Sequence, residues 1–445
     1  MSQKDKKLSA AERLGLLFDD GRYTEIDEQN GAQCGAIAAF GSIGGSTAFA
    51  FAQDSDEAGG AINVLQSRKL SRVYDLAAKT GSPIVSIYDS KGVKLDGDGF
   101  EILKAISEIM RKSSDLSGVV PQFAVVLGQC GGFLSLCAAL ADVCVMSERG
   151  ELFLTSAYTD KALGGKEKDV GSADYAERAG VASVACSSES EAIAKTAELV
   201  KLFPMNNLAA LPVYDYEEPA FSARNITAAV ADPGSVTGFF DTLGLNAKTS
   251  LARIGGVPCG IIETGGELSR RDTAKCARLV EICDSFSMPV ISLIDSNGLE
   301  RSAESDRLGG IRNAAKLANV LSEATTVKLT VITGECQGAV YALFCGKNGG
   351  ADMTYAWNDA VISPTSCEIA VELFWNERID KEADIAALAK EYAAAEASAA
   401  MAAQAGAIDA AIAPEQTRES LLAALKMLSG KRVARRPKKH SNLPL

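Results

Sequence analysis

Histidine is almost absent from this sequence of 445 residues. The single histidine, His440, lies five residues before the C-terminus, which excludes a buried catalytic triad built on an imidazole. The GxSxG motif, the Walker A motif and a GxGxxG after a strand are absent as well. Their absence argues against an α/β-hydrolase, a P-loop nucleotide-binding protein and a Rossmann dehydrogenase.

Metal-ligand spacing is also missing among the eleven cysteines, which contain no CxxC. Cys130, Cys137 and Cys144 recur every seven residues within apolar sequence. This pattern predicts buried, reduced thiols that act as small apolar side chains and bind no metal. Reduced thiols in this number are typical of the cytoplasm.

The chain has no excess of positive charge and no uninterrupted apolar run of membrane-spanning length. Its 45 basic and 57 acidic residues give a net charge of −12, which argues against general binding to nucleic acid or anionic membranes. Residues 119–146 are the most apolar stretch, but Pro121, Gln129 and Asp142 interrupt them. They are typical of a strand, a glycine turn, a helix and a second strand. We therefore expect a cytoplasmic protein without direct membrane insertion.

An internal repeat at an offset of 206 residues organises the chain. Residues 81–92 (GSPIVSIYDSKG) match residues 287–298 (SMPVISLIDSNG), so that Asp89 corresponds to Asp295. Short apolar strands alternate with amphipathic helices in both halves, which predicts the α/β class. The repeat predicts two domains, 1–220 and 221–445. Residues 203–220, rich in Pro, Asn and acidic residues, are the expected linker.

Each repeat contains a glycine turn between an apolar strand and an apolar helix. The first turn is Gly131-Gly132-Phe133, and the second turn is Gln337-Gly338-Ala339. Glycine lets the backbone turn sharply, and the N–H groups at the start of the helix can bind an oxyanion such as an enolate. Alternatively, each turn is only a tight connection between a strand and a helix. Its occurrence at both repeated positions favours the functional interpretation.

Motifs along nearly the whole chain resemble the carboxyltransferase subunits of biotin-dependent acyl-CoA carboxylases and decarboxylases, which are relatives of the propionyl-CoA carboxylase beta subunit. In order, the matching segments are AERLGLLFDDGRYTEI (11–26), FAQD (51–54), GGIRNAAKL (309–317), SEAT (322–325), GADMTYAW (350–357) and KKHSNLPL (438–445). The resemblance implies two tandem crotonase-like (ClpP/crotonase) ββα-superhelix domains in a homodimer or a trimer of dimers. It also implies that the N-terminal half of one subunit holds acyl-CoA, while the C-terminal half of another receives carboxybiotin.

The resemblance further implies roles for the two turns. Gly131, Gly132 and the amide of Phe133 would stabilise the enolate of the thioester. Gly338 and Ala339 would bind the ureido oxygen of biotin. Carboxybiotin would release CO2, the biotin anion would take the α-proton, and the enolate would attack CO2. The reverse sequence of steps decarboxylates the acyl-CoA.

Binding residues outside the backbone of the turns are implied in the same way. Further candidates on the biotin side are Gln337 and Ser366. Candidates for the CoA phosphates, unless they are solvated surface charges, are Arg68, Lys69, Arg72 and Lys94. The segment ALKM (424–427) superficially resembles a biotin-attachment site, but residues 415–428 have the apolar spacing of a helix. We therefore expect biotin to arrive on a separate carrier protein, together with biotin carboxylase or decarboxylase subunits as partners.

Several positions depart from the family pattern. Phe133 stands where the family has a second glycine, and residues 360–370 lack the glycines of a biotin-side loop. One alternative is therefore a degenerate paralogue that serves as a structural partner of an active subunit. A second is the decarboxylase subunit of a sodium-pumping complex. A third, a simple crotonase hydratase or isomerase, is disfavoured because those proteins usually have a single domain.

Overall fold

The computed structural model describes residues 7–28, 34–94, 99–379 and 384–444. Residues 1–6 of the first predicted domain and Leu445, the last residue of the tail motif, lie outside the described residues. The chain forms two compact units, unit 1 (residues 1–212) and unit 2 (residues 213–445). The division falls within the predicted linker, and residues 203–225 contain no helix or strand.

Unit 1 is built around one eight-stranded sheet. Its strands are β1 (Tyr23–Ile26), β2 (Ala36–Ile43), β3 (Ser46–Gln53), β4 (Ile84–Ser90), β5 (Gln122–Gly131), β6 (Val143–Ser147), β7 (Glu151–Phe153) and β8 (Val184–Cys186). The order across the sheet is β1-β2-β3-β4-β5-β6-β8, and β7 pairs with the end of β5. The first three strands pair antiparallel, and the later pairs are parallel. Every residue of β4 is buried, as expected for a parallel strand covered on both faces.

The described residues of unit 1 form seven α-helices. They are α1 (Ala10–Leu17), α2 (Val64–Thr80), α3 (Gly99–Leu116), α4 (Phe133–Leu140), α5 (Ala157–Ala162), α6 (Ala173–Arg178) and α7 (Glu189–Leu202). Helix α2 has clear start and stop signals. Asn63 begins α2 by accepting a hydrogen bond from the Gln66 N–H at 3.0 Å, and Gly81, with φ of 66°, ends it in the left-handed conformation.

Unit 2 repeats this architecture. Its strands are β9 (Thr237–Phe239), β10 (Ala247–Ile254), β11 (Val257–Thr264), β12 (Glu267–Leu268), β13 (Val290–Ser296), β14 (Gly298–Leu299), β15 (Lys328–Gln337), β16 (Met353–Trp357), β17 (Val361–Ser363) and β18 (Ala410–Ile412). The main sheet has the order β18-β16-β15-β13-β11-β10-β9, with β17 paired to β15, while β12 and β14 form a small second ladder. Strand for strand this is the order of unit 1, so the predicted duplication is confirmed in three dimensions.

The helices of unit 2 agree with most of the sequence predictions. They are α8 (Ile226–Val230), α9 (Arg270–Ser285), α10 (Ala303–Arg307), α11 (Gly310–Glu323), α12 (Cys367–Phe374), α13 (Ile385–Glu396), α14 (Ala399–Gln404) and α15 (Thr417–Leu428). The predicted helix over residues 415–428 is confirmed as α15, so the ALKM segment is helical. Residues 119–146 form β5, α4 and β6, also as predicted. Among the helices in the described part of the chain, none has the length and apolar character that a membrane crossing needs.

The helix expected after the second turn differs from the prediction. The apolar residues after Ala339 form a short π-helical segment, Tyr341–Cys345, instead of a regular α-helix. The Gly346 N–H donates to the Tyr341 carbonyl, five residues back, at 2.9 Å. This wider spacing ends the segment, and apolar sequence alone does not distinguish it from an α-helix.

Candidate active site

The two glycine turns lie at equivalent places, where β5 and β15 end. Gly132 has φ of 62° and ψ of −130°, a combination that only glycine adopts without strain. Gly338 has φ of 54°. In each unit the turn therefore depends on a residue without a side chain. The duplicated sequence pattern produces a duplicated backbone conformation.

The amides of the turns divide into two groups. The Gly132 N–H donates to the Phe153 carbonyl at 3.0 Å, and the Gly338 N–H donates to the Ser363 carbonyl at the same distance. These two amides are therefore used inside the sheets, where they continue the pairing of β5 with β7 and of β15 with β17. The amides of Phe133 and Ala339 come next, at the start of a helical segment, where N–H groups have no intrahelical partner. These two amides are the candidate donors to an anion.

The space around the first turn is uneven. A side chain on Gly131 would place its Cβ 2.5 Å from the Phe153 ring, so this residue is packed against its neighbour. A Cβ on Gly132 would meet nothing within 4 Å, and Gly132 is exposed. The ring of Phe133 is half-buried against the core of unit 1.

Two biotin-side candidates already have partners within unit 2. Gln337 is buried, and its Nε2 donates to Glu335 Oε2 at 2.9 Å. Ser366 caps α12, because its hydroxyl accepts the Ile369 N–H at 3.5 Å. Both side chains stabilise the segments around the second turn, and the exposed Ala339 stands between them in sequence.

The four cationic candidates fall into two environments. Arg68, Arg72 and Lys94 are exposed. Lys69 is buried, and its ammonium group donates to the Ala36 carbonyl at 3.3 Å. The equivalent residue of unit 2, Lys275, is buried in the same way and donates to the Gly244 carbonyl at 3.0 Å. The ammonium group of the repeated lysine therefore hydrogen-bonds to a backbone carbonyl in the interior of each unit.

Sequence reasoning missed a buried charge cluster beside the first turn. Arg13 is completely buried, and its guanidinium lies 3.0 Å from Asp89 and 3.1 Å from Glu189. Lys7 adds a contact of 3.5 Å to Asp89. A half-open polar cavity of about 230 Å³ borders the cluster, and Asp89 and Gln129 both line it. A signal was present, because Arg13 occupies the apolar face of α1 defined by Ala10, Leu14 and Leu17.

This cluster keeps Asp89 ionised. Burial, the largest single influence, would raise the pKa of Asp89, but the Arg13 guanidinium, a hydrogen bond from Ser55 and the Lys7 ammonium together hold that pKa below its ordinary value. Arg13 also donates to the Gln53 carbonyl at 2.7 Å. The carboxylate at the end of β4 is thus held by Arg13 of α1, and Glu189 of α7 pairs with the same guanidinium.

The cysteines near the turns are structural. Ten of the eleven cysteines are buried, all eleven are free, and burial raises the pKa of Cys137 and of Cys144 to about 12. Thiols of this kind are inert as nucleophiles. Across the described residues, no cluster of His, Cys, Asp and Glu could hold a metal ion. Binding of an anion by backbone N–H groups is the candidate chemistry at the turns.

Two repeated α/β units, each with a glycine turn at the start of a helical segment, form the framework of the candidate site. A family model described as carboxyl transferase domain matches residues 2–443. The chain is 31% identical to the methylmalonyl-CoA decarboxylase subunit alpha of Veillonella parvula, covering 99% of this chain and 93% of the relative. It is 30% identical to the propionyl-CoA carboxylase carboxyltransferase subunit of Haloferax mediterranei, covering 100% and 95%.

A solved structure agrees with these relatives. The crystal structure of transcarboxylase 12S, described as a hexamer with hydrolysed methylmalonyl-CoA bound, matches with a TM-score of 0.92 at 28% identity. The match covers 99% of this chain and 93% of transcarboxylase 12S. The chain therefore belongs to the carboxyl transferase family. The tandem crotonase-like fold expected from the sequence is confirmed.

Proposed function

We propose that this chain transfers a carboxyl group between carboxybiotin, carried by a separate protein, and a short-chain acyl-CoA of the acetyl, propionyl or methylmalonyl type. The observation that carries the proposal is the pair of equivalent turns with helix-start amides at Phe133 and Ala339. Two such turns suit a reaction in which two different carbonyl oxygens gain negative charge. The names of the relatives, which include acyl-CoA carboxylases and a methylmalonyl-CoA decarboxylase, support the substrate class.

The first turn acts on the acyl-CoA. The Phe133 N–H donates to the thioester oxygen as the enolate forms, and the helix dipole of α4 adds to this stabilisation. Gly132 leaves the space through which the thioester approaches, since a Cβ there would project into that space. Gly131 keeps the turn close to β7. Removing one backbone donor of this kind costs about 10²- to 10³-fold in kcat.

The second turn acts on biotin. When bound, carboxybiotin supplies both the carboxyl group and the base that removes the α-proton. The Ala339 N–H donates to the ureido oxygen, and Gly338 provides the turn that exposes this amide. Gln337 and Ser366 hold the neighbouring segments in place through the bonds described above.

The CoA phosphates are bound by exposed cations of unit 1. Arg68 and Arg72 lie one helical turn apart on α2, and Lys94 follows β4. Lys69 supports α2 through its bond to the Ala36 carbonyl and does not contact the phosphates. The three exposed side chains supply local positive charge to an otherwise acidic protein.

A decarboxylase role is a second candidate, favoured by the 31% identity to the Veillonella parvula decarboxylase subunit. The same turns serve this direction, because the enolate and the biotin anion are common to both reactions. In either role the expected partners are a biotin carboxyl carrier and biotin carboxylase or decarboxylase subunits. The expected assembly is a homodimer or a trimer of dimers, and the hexamer described for transcarboxylase 12S supports it.

The test is calorimetric titration of the purified chain with methylmalonyl-CoA, malonyl-CoA and propionyl-CoA. Gly132→Ala should weaken binding about 10-fold or more, because its Cβ enters the open side of the turn. Gly45→Ala is the matched control, since Gly45 also has a positive φ, of 80°, and no neighbour within 4 Å of its Cβ. If the folded wild-type chain binds none of the three thioesters, the proposal fails and the degenerate structural paralogue is the better explanation.

A further inference from the structure

A strand irregularity precedes both glycine turns. In unit 1, Tyr88 pairs with Val126, but Ser90, two residues later, pairs with Cys130, four residues later. The strand β5 therefore contains two extra residues at this point, which is a β-bulge. Unit 2 has the same shift, with the pairs Ile294 with Ile332 and Ser296 with Cys336. We call residues 127–129 the first bulge and residues 333–335 the second bulge.

An aspartate lies opposite each bulge. Asp89 and Asp295 are the residues between the paired positions of β4 and β13. A Cβ on Gly128 would lie 2.1 Å from Asp89 Oδ1, and a Cβ on Gly334 would lie 2.4 Å from Asp295 Oδ1. The glycine at the centre of each bulge therefore provides the space that the carboxylate occupies. The carboxylate and the bulge form one packed arrangement, present in both units.

The two aspartates are held differently. Asp89 is buried and paired with Arg13 at 3.0 Å. Asp295 is exposed, and its Oδ1 accepts the Glu335 N–H at 2.9 Å. The backbone of Asp295 is fixed as well, because its own N–H donates to Thr264 Oγ1 at 3.0 Å. In unit 2 the carboxylate thus accepts a hydrogen bond directly from the backbone of the bulge.

The second bulge leads into the second turn through a short chain of contacts. Glu335 accepts the side-chain amide of Gln337 at 2.9 Å. Gly338 follows and donates its N–H to Ser363 at 3.0 Å. A bulge changes the direction of the strand that leaves it. The hydrogen bond between Asp295 and the second bulge therefore influences where Ala339 lies.

We propose that Asp295 is a positioning residue for the second turn. Its carboxylate fixes the second bulge, and through the bulge it sets where the Ala339 N–H points. Asp295 itself does not contact the reacting atoms. The activity part of the test rests on the proposed function, whereas the structural part does not.

The test compares Asp295→Ala, which removes the acceptor, with Asp295→Asn, which keeps an acceptor oxygen of the same reach. Glu419→Ala removes an exposed carboxylate from α15 and is the matched control. Hydrogen–deuterium exchange is measured on peptides covering residues 333–339 of the full-length protein. Carboxyl transfer from methylmalonyl-CoA to free biotin gives kcat and the KM for biotin, and calorimetry gives methylmalonyl-CoA binding.

In Asp295→Ala we expect exchange in residues 333–339 to rise about 10-fold or more, because the Glu335 N–H loses its acceptor. We expect kcat to fall about 10-fold or more, while methylmalonyl-CoA binding at the first turn stays within about 2-fold. Asp295→Asn should restore both exchange and kcat to nearly wild-type values.

Wild-type exchange in Asp295→Ala overturns the proposal, and so does an Asn variant as impaired as the Ala variant. If the wild-type chain transfers no carboxyl group, the proposed function fails separately. The exchange measurement still decides the role of Asp295 in that case.

Discussion

The buried contact between Gly128 and Asp89 gives the sharpest test of the structure. In Gly128→Ala the new Cβ would lie 2.1 Å from Asp89 Oδ1 and 2.6 Å from its Cγ, so one of the two groups must move by about 1 Å. Asp89 is only 4% exposed and is paired with Arg13, which is fully buried, so rotation of Asp89 away from the methyl group would leave the Arg13 guanidinium without this partner. The new methyl group must therefore break the ion pair or distort β5.

The loss of folding stability in Gly128→Ala follows from these two outcomes, a broken ion pair or a distorted β5. Overpacking costs about 1–3 kcal/mol, and disrupting a buried ion pair costs about 3–5 kcal/mol. We expect unit 1 of Gly128→Ala to lose about 3 kcal/mol of its free energy of unfolding. For a unit of this size, about 2–4 °C of Tm is lost per kcal/mol, so its Tm should fall by roughly 6–12 °C.

The matched control is Gly334→Ala in unit 2. Its Cβ would lie 2.4 Å from Asp295 Oδ1, which is nearly the same clash, but Asp295 is exposed and can rotate away. The loss is then one hydrogen bond to the Glu335 N–H, or about 1 kcal/mol. Differential scanning calorimetry of the full-length variants measures both. Equal Tm losses in the two variants would refute the argument that burial of the carboxylate decides the cost.

Further predictions concern the first turn, the acid stability and the thiols. Gly132→Ala adds about 1–3 kcal/mol of backbone strain and should lower kcat for carboxyl transfer by more than 10-fold. The control Gly45→Ala should leave kcat unchanged. Equal kcat losses in the two variants would contradict the role of the turn. The pKa of Asp89 is lowered in the folded state, so its contribution to stability is complete above the unfolded pKa of about 3.9 and is lost as the pH falls through the folded value. Urea unfolding below pH 4 should therefore show a smaller pH dependence in Asp89→Asn than in wild type, and an unchanged dependence would speak against the ion pair. A thiol reagent should label at most one cysteine of the native chain, Cys367, and all eleven in denaturant; rapid labelling of several native thiols would disprove their burial.

The sequence was sufficient to predict the duplication and the class of fold. The repeat at offset 206 placed Asp89 on Asp295 and one glycine turn on the other, and the structure has the same strand order in both units. Strand and helix patterns over residues 119–146 were equally clear, because apolar periodicity and glycine position are local properties of the chain. The family motifs came from the same local information.

Tertiary structure alone decided which groups are available at the turns. Gly132 and Gly338 look like amide donors in the sequence, but each N–H is used by a strand that pairs with the end of β5 or β15. A lysine is usually exposed, yet Lys69 is buried and donates to the Ala36 carbonyl. The π-helical segment after Ala339 was likewise not visible in an apolar run.

The charge cluster shows why some features follow from the sequence and others follow only from the folded chain. Arg13, Asp89 and Glu189 lie far apart in the chain, and no local pattern links α1, β4 and α7. Periodicity reports which face of an element is apolar, but it does not report which element covers that face. Burial, pairing and the direction of a free N–H depend on contacts between distant residues, so they follow only from the folded chain.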